Sequence, residues 1–125
     1  MGAFRFGKQE RLSKKKVIEE LFAKGSSRLT FPVKIVFIRH PDKEQFLHQV
    51  LITVPIKYFK KAVDRNKLKR RIREGYRLNK ALLPPAPTLC IAYIYVAKEI
   101  LPSATIHQSI RASMKELSDH YEKKS

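Results

Sequence analysis

The residue types that could do chemistry in this chain are cationic, and they concentrate in one segment. Within residues 57–80, eleven residues are Lys or Arg and two, Asp64 and Glu74, are acidic, so nine of the sixteen net positive charges lie there. A concentrated charge raises the local surface potential and attracts a polyanion, whereas an evenly spread excess mainly favours solubility. We therefore expect nucleic acid as the partner.

Chemistry by the protein itself is not expected. The four histidines lie far apart without the spacing of zinc ligands, and Cys90 is the only cysteine in the sequence. The sequence contains neither a Gly-x-Ser-x-Gly motif nor a glycine-rich phosphate loop. Because Cys90 lies between the apolar Leu89 and Ile91, we expect a buried, unreactive thiol. The prediction is that the protein has no catalytic residue and binds no metal.

Length and composition are typical of one cytoplasmic domain. A chain of 125 residues with 43% hydrophobic residues can build a single core. The sequence has no run of about 18 apolar residues that would span a membrane, and its first residues do not resemble a signal peptide. We expect one domain over 1–125 with flexible ends at 1–8 and 122–125, a cytoplasmic location and no membrane partner.

Helical periodicity divides the basic segment into two faces. From about residue 59 to residue 83, a band of about 120° on the helical wheel collects the residues expected to face a core: Leu68, Ile72, Gly75, Tyr76, Asn79, Leu82 and Leu83. The opposite side collects Asn66, Lys69, Arg70, Arg73, Arg77 and Lys80. Prolines at 84, 85 and 87 end this helix.

The segments before this helix predict one helix and two strands. An amphipathic helix with Ser13 as its N-cap carries Ile18 and Phe22 on its apolar face and ends at Gly25, before a turn at residues 25–27. Residues 31–38 and 46–54 are rich in β-branched and aromatic side chains, which is typical of strands. A turn composition between them favours a hairpin.

The segments after the basic helix predict one strand and one helix. Residues 88–96 form a nearly continuous apolar run, which is expected of a strand that is covered on both faces. Apolar residues then recur at helical spacing after Pro102, and this closing helix should pack on the sheet.

Cations three and four residues apart on one helix face suit a sugar-phosphate backbone, because the planar guanidinium group of arginine matches phosphate oxygens. A merely solvated face would carry acidic partners at i+4, and only Glu74 can serve in that way, opposite Arg70 or Arg77. Asn66 has two open interpretations at this stage. It either caps the helix locally or offers its amide to a base, a phosphate or a water-bound metal ion.

The motif in this helix resembles that of the protein component of bacterial ribonuclease P. That family has an Arg-Asn-x-x-Lys-Arg-x-x-Arg-Glu signature, and here residues 65–74 read Arg-Asn-Lys-Leu-Lys-Arg-Arg-Ile-Arg-Glu after Ala62 and Val63. The resemblance also includes Glu-Arg-Leu at 10–12 and Phe-Ala-Lys-Gly at 22–25, and it covers most of residues 4–83. The last third of the chain fits mainly by its layout.

The resemblance implies a fold and a set of partners. The fold is α+β, a single compact domain in the order αβββαβα, with a sheet of about four strands and a left-handed βαβ crossover that contains the basic helix. The partner is the catalytic RNA of ribonuclease P, which binds Mg²⁺ and removes the 5′ leader of precursor transfer RNA. The protein assists that RNA, and no obligate protein partner is expected.

Site residues follow from the same resemblance. The residues expected to bind the RNA subunit are Arg65, Asn66, Lys69, Arg70, Arg73 and Arg77, and the family also links Arg65 and Asn66 with metal-dependent conformational steps. A cleft between the first helix and the sheet is expected to hold the leader. Its candidate residues are Phe22, Ile18, Lys34 and Val36.

Two features depart from the family pattern. The family often has two aromatic residues one turn apart on the first helix, but here Ile18 stands in the first place, so one stacking ring is lost. For Phe22, a place in the core and a place in the cleft stay equally open. The loop before the signature has no glycine and one extra residue, although Lys57, Lys60 and Lys61 keep it basic. Tyr58 and Phe59 in this loop either pack against the helix or stack on RNA.

Other classes of function stay as alternatives. A ribosomal or RNA-chaperone protein would share the charge but has no reason to carry the whole signature. A helix-turn-helix DNA binder needs a short helix ahead of the basic one, where this chain has a predicted strand ending at Val54 and Pro55. A helix on a membrane surface would use Ile72 and Leu83, which are needed for the core.

Overall fold

The apolar run after the prolines becomes one of the two inner strands of a four-stranded sheet. The computed structural model describes residues 7–122, and in chain order these form α1 (Lys15–Lys24), β1 (Ser26–Thr30), β2 (Val33–Arg39), β3 (Gln49–Thr53), α2 (Ala62–Asn79), β4 (Leu89–Tyr95) and α3 (Ser103–Glu122). Single turns of 3-10 helix lie at Lys8–Glu10 and Lys80–Leu82. The α+β class and the order αβββαβα are confirmed.

The strands lie in the order β1-β2-β4-β3. β2 pairs antiparallel with both β1 and β4, while β3 pairs parallel with β4. Because parallel neighbours need a crossover connection, α2 packs over the sheet between β3 and β4. The left-handed sense of this crossover stays a prediction.

Two predictions about the strands were wrong. Residues 31–38 and 46–54 do not form a hairpin, because β4 lies between β2 and β3. The hairpin joins β1 to β2 instead, and β1 occupies a segment whose first two residues, Ser26 and Ser27, were expected in a turn. As an edge strand with four exposed residues out of five, β1 needs no apolar alternation, so its sequence carried no strand signal.

The sheet is covered on both faces. Residues of α2 and α3 pack on one face around Leu68, Ile72, Tyr93 and Ile110, all of them fully buried. On the other face α1 contributes Leu21 to a smaller cluster, which also contains Leu12, Val36, Cys90 and Ala92. Each fully buried apolar side chain of this kind contributes about 1.5–3 kcal/mol.

Gly75 allows α2 and α3 to approach closely. A Cβ atom at this position would lie 2.8 Å from Cδ1 of Ile110 and 3.0 Å from Cδ2 of His107. This explains why a glycine occurs in the middle of a long helix, where it is otherwise unfavourable.

Several smaller expectations can be compared with the structure. Cys90 is buried as predicted, and this burial raises the pKa of its thiol to about 12. α1 has Lys14 rather than Ser13 as its N-cap. Of the ends expected to be flexible, residues 1–6 and 123–125 lie outside the described residues, while Lys8 and Glu122 lie in helical turns. Within residues 7–122 no helix is long and apolar enough to cross a membrane.

Candidate nucleic-acid interface

α2 presents its two faces as the periodicity predicted. Leu68, Ile72, Gly75 and Tyr76 are buried, and the ring of Tyr76 packs edge-on against Tyr93 of β4 with 6.0 Å between centroids. The apolar stripe therefore fixes the rotation of the helix about its axis. The opposite face must point away from the sheet.

The outer basic face consists of Asn66, Lys69, Arg70 and Arg73. Asn66, Arg70 and Arg73 are exposed, and Lys69 is half-buried. Lys69 and Arg73 also line a groove of about 310 Å³ between the segment before α1 and strand β3. None of these four side chains has a hydrogen bond or ion pair to the described part of the chain. Their donors are therefore available to an external acceptor.

Arg77 and Lys80 extend the same side of the helix but have acidic partners. The guanidinium group of Arg77 donates to Oε1 of Glu74, and this hydrogen bond lowers the pKa of the Glu74 carboxyl group. Nζ of Lys80 lies 2.9 Å from Oε1 of Glu10 in a largely buried pair, which attaches the segment before α1 to the end of α2. Of the two partners expected for Glu74, the structure selects Arg77.

Arg65 and Arg71 lie on the same helix and point inward. Nη1 of Arg65 donates to the carbonyl oxygens of Phe59 and Lys60, at 2.8 and 2.9 Å. Nη1 of Arg71 donates to the carbonyl oxygen of Leu101 at 2.6 Å. These two arginines therefore hold the loop before α2 and the loop after β4.

The predicted role of Arg65 in binding the RNA subunit stays a prediction, because its guanidinium group already holds a loop. Sequence reasoning did not assign any role to Arg71. The sequence did contain a signal for this inward direction, because both arginines fall within or beside the apolar stripe on the helical wheel. A side chain at such a position reaches neighbouring elements of the protein.

The predicted cleft between α1 and the sheet has a different floor from the one expected. Val36 is only 7% exposed and belongs to the apolar cluster under α1, so its predicted place in the cleft floor was wrong. Lys34 is exposed, and the strand register places it opposite Leu29 on β1 and Ile94 on β4. Ile94 in turn pairs with Thr53 on β3. These four residues form the open strip of the sheet.

Ile18 and Phe22 lie on the helix that borders this strip. Ile18 packs against the apolar cluster of Leu21 and Val36, but Phe22 is 47% exposed. Of the two open interpretations for Phe22, the structure therefore excludes a place in the core. We call Ile18, Phe22 and the open strip the α1 surface.

The loop from Pro55 to Lys61 separates its two aromatic residues. Phe59 is buried and packs edge-on against Tyr95 with 5.7 Å between centroids, so it secures the loop. Tyr58 is 40% exposed. Lys57, Lys60 and Lys61 are also exposed, which keeps the predicted positive charge of the loop on the surface.

The side chains of the outer basic face offer little to a divalent metal ion. No group of three or more His, Cys, Asp or Glu side chains comes together within residues 7–122. The charged Lys and Arg side chains of the outer basic face carry no lone pair for a metal, and Asn66 adds a single amide oxygen. This surface suits an anionic ligand.

Three comparisons place the chain among known proteins. A sequence model of the ribonuclease P family matches residues 6–121. A protein of Porphyromonas gingivalis named ribonuclease P protein component is 30% identical in an alignment of 116 residues, and the match covers 89% of this chain and 85% of that protein.

The similarity extends to solved structures. The RNase P protein from Thermotoga maritima, 27% identical, has a TM-score of 0.71 and matches 86% of this chain and 96% of its own. The structure of a Staphylococcus aureus RNase P protein mutant, 24% identical, has a TM-score of 0.72 over 90% of both chains, which supports the shared fold.

Proposed function

We propose a function for this chain on the premise that it belongs to the ribonuclease P protein family. As such a component, it is a subunit of the endoribonuclease that matures the 5′ end of transfer RNA, with the ribonuclease P RNA as its partner. We propose two surfaces for this work. The outer basic face binds the catalytic RNA, and the α1 surface binds the 5′ leader of precursor transfer RNA.

The outer basic face is the observation that carries the proposal. Arg70 and Arg73 are exposed one turn apart, with Lys69 beside them, and none has a partner among the described residues. Guanidinium and ammonium groups that contact phosphates release the counterions condensed on the nucleic acid. This release favours binding strongly, and it does not depend on the sequence of the RNA. Asn66, on the same face, adds an amide that can donate to a phosphate or accept from a base.

The α1 surface supports the binding of a single strand. Unpaired bases stack on exposed aromatic rings while cations contact the backbone, and this surface offers Phe22 as a ring and Lys34 as a cation. Ile18 contributes apolar contact in place of a second ring. We therefore propose that stacking in this cleft rests on one side chain.

The division of labour follows from the chemistry of the side chains. We propose that the RNA subunit holds Mg²⁺ and cleaves the phosphodiester bond, since the basic surfaces of the protein do not fit a metal ion. The cations of the protein reduce the repulsion between phosphates of the two RNAs, which otherwise requires metal ions. We further propose that the protein works in the cytoplasm without an obligate protein partner.

Reconstitution with the cognate catalytic RNA tests this function. At low Mg²⁺, addition of the protein should raise the rate of precursor cleavage, and the product should carry the mature 5′ end. A ribosomal or RNA-chaperone protein would bind RNA but leave that rate unimproved. If the protein does not stimulate cleavage under these conditions, the proposed function is wrong.

A further inference from the structure

Tyr58 is a ring approached by two lysines on the protein surface. Nζ of Lys57 and Nζ of Lys98 each lie 5.5 Å from the centroid of the Tyr58 ring. Both lysines are exposed, and neither has an ion pair with a carboxylate among the described residues. Lys57 and Tyr58 precede α2, whereas Lys98 follows β4, so the site exists only in the folded chain.

Contacts within the protein fix the backbone of the two loops that carry Tyr58 and Lys98. Arg65 binds the carbonyl oxygens of Phe59 and Lys60, and the ring of Phe59 packs on Tyr95. The hydroxyl group of Tyr95 donates to the carbonyl oxygen of Glu99 at 2.6 Å and accepts from the amide of Leu101 at 3.0 Å. The loop before α2 and the loop after β4 are thus attached to the same buried ring. Such attachment reduces the entropy lost when a ligand binds.

The cluster carries two positive charges, and neither forms an ion pair among the described residues, so it suits an anion. Each ammonium group gains only a modest cation–π attraction from the ring at an exposed site. A phosphate within reach of both lysines would accept charge-assisted hydrogen bonds from their ammonium groups. A base that stacks on the Tyr58 ring would displace one ammonium group from the aromatic face toward that phosphate, because lysine has a flexible stem. A nucleotide supplies both groups in one ligand.

A second exposed ring lies close to the same lysine. Lys98 also lines a groove of about 370 Å³ with Phe31 and Leu101, and the ring of Phe31 is 64% exposed. This groove offers an apolar place beside Tyr58 for the next base of a strand. Alternating rings and cations of this kind are typical of proteins that bind single-stranded nucleic acid.

We propose that Tyr58, Lys57 and Lys98 form a binding site for one unpaired nucleotide of RNA, with the base stacked on Tyr58 and its phosphate held by the two lysines. This inference rests on the proposed function and extends it to a residue of the loop that is longer than the family pattern. The nucleotide belongs either to the 5′ leader of the precursor or to the catalytic RNA.

Three variants test the site in the reconstituted holoenzyme. Tyr58→Ala removes the ring and Tyr58→Phe keeps it. Phe46→Ala is the matched control, because Phe46 is an aromatic side chain 78% exposed in the loop between β2 and β3, outside the Tyr58 site. Thermal unfolding of each variant first establishes that it folds as the wild type does. The binding measurements then use catalytic RNA alone, precursor with a leader, and mature transfer RNA.

Tyr58→Ala should weaken binding by about 5- to 150-fold, the range that stacking of one base carries, while Tyr58→Phe and Phe46→Ala stay near the wild type. A loss confined to leader-bearing precursor assigns the nucleotide to the leader, and a loss with catalytic RNA alone assigns it to that RNA. Wild-type affinity of Tyr58→Ala in all three measurements overturns the site, and so does an equal loss in Tyr58→Phe. If the wild-type protein itself does not stimulate cleavage, the proposed function has failed instead.

Discussion

The outer basic face and the inner side of α2 carry the same residue types but use them differently. Arg70 and Arg73 have no partner among the described residues, whereas Arg65 and Arg71 donate to the carbonyl oxygens of two loops. The outward pair is available to bind phosphate. The inward pair holds the protein backbone and positions the loops that flank Tyr58. A count of charges along the helix does not distinguish these roles, because they depend on the direction in which each side chain points.

The largest expected effect is a difference in protein stability between variants of the inward and the outward arginines. Arg71→Ala should lower the free energy of unfolding by about 1.5–3 kcal/mol, since a hydrogen bond from a charged group to a half-buried carbonyl is lost. Its neighbour Arg70 is the matched control, and Arg70→Ala should change that free energy by less than about 0.5 kcal/mol. Urea unfolding followed by circular dichroism measures both. Equal stabilities of the two variants would contradict the division.

The α1 surface provides the next test, because the ring of Phe22 is exposed there while Leu21, next to it on α1, is buried. Phe22→Ala should weaken binding of leader-bearing precursor by about 1–3 kcal/mol if the ring stacks on a base. Binding of mature transfer RNA should not change. A filter-binding titration of the reconstituted holoenzyme compares the two RNAs. Equal losses for both, or unfolding of the variant, would show that Phe22 supports the fold instead.

A smaller effect is expected for single cations of the outer basic face. Arg70→Ala or Arg73→Ala should weaken assembly with the catalytic RNA and lower the magnitude of the salt slope by about 1, as expected for one lost phosphate contact. Arg71→Ala, once shown to be folded, should keep the wild-type slope. Titrations over a range of salt concentrations measure this difference. A wild-type slope in Arg70→Ala and Arg73→Ala would exclude them from the interface.

The smallest expected effect concerns pH and distinguishes the scaffold from the binding face. Nδ1 of His48 accepts from the amide of Leu89, and Nε2 donates to the carbonyl oxygen of Pro84, so the ring must be neutral in the folded protein. Burial is the main cause that lowers its pKa below the usual 6.5. The unfolded chain therefore binds this proton at higher pH than the folded protein does.

It follows that His48 contributes its full stability above about pH 6.5 and loses it as the pH falls through the lower pKa of the folded state. Unfolding measured from pH 8 to pH 5 should show stability that decreases with acid, and His48→Gln should show a weaker dependence. An unchanged pH dependence in His48→Gln would assign the acid sensitivity to other groups.

The structure agrees with the hydrophobic pattern of the sequence wherever a long helix or strand has one continuous buried face. The rotation of α2, the burial of Tyr76 and the enclosure of β4 could all be predicted, because a repeated apolar spacing leaves one orientation that removes those side chains from water. Edge strand β1 could not, since its exposed Ser26 and Ser27 are equally compatible with a turn. The hairpin was predicted wrongly because composition records where strands are and does not record which strands pair.

The site shows the same division. The signature from Arg65 to Glu74 was enough to identify the family and the kind of partner, because charge and motif depend only on the order of residues along the chain. Three features depend on the tertiary structure: the packing of α1 that buries Val36 and leaves Lys34 exposed, the inward direction of Arg65 and Arg71, and the contact of Tyr58 with Lys98. Together with the pairing of Lys34 with Ile94, these contacts join residues up to 60 positions apart, and their geometry is set by packing around a common core rather than by any local preference of the chain.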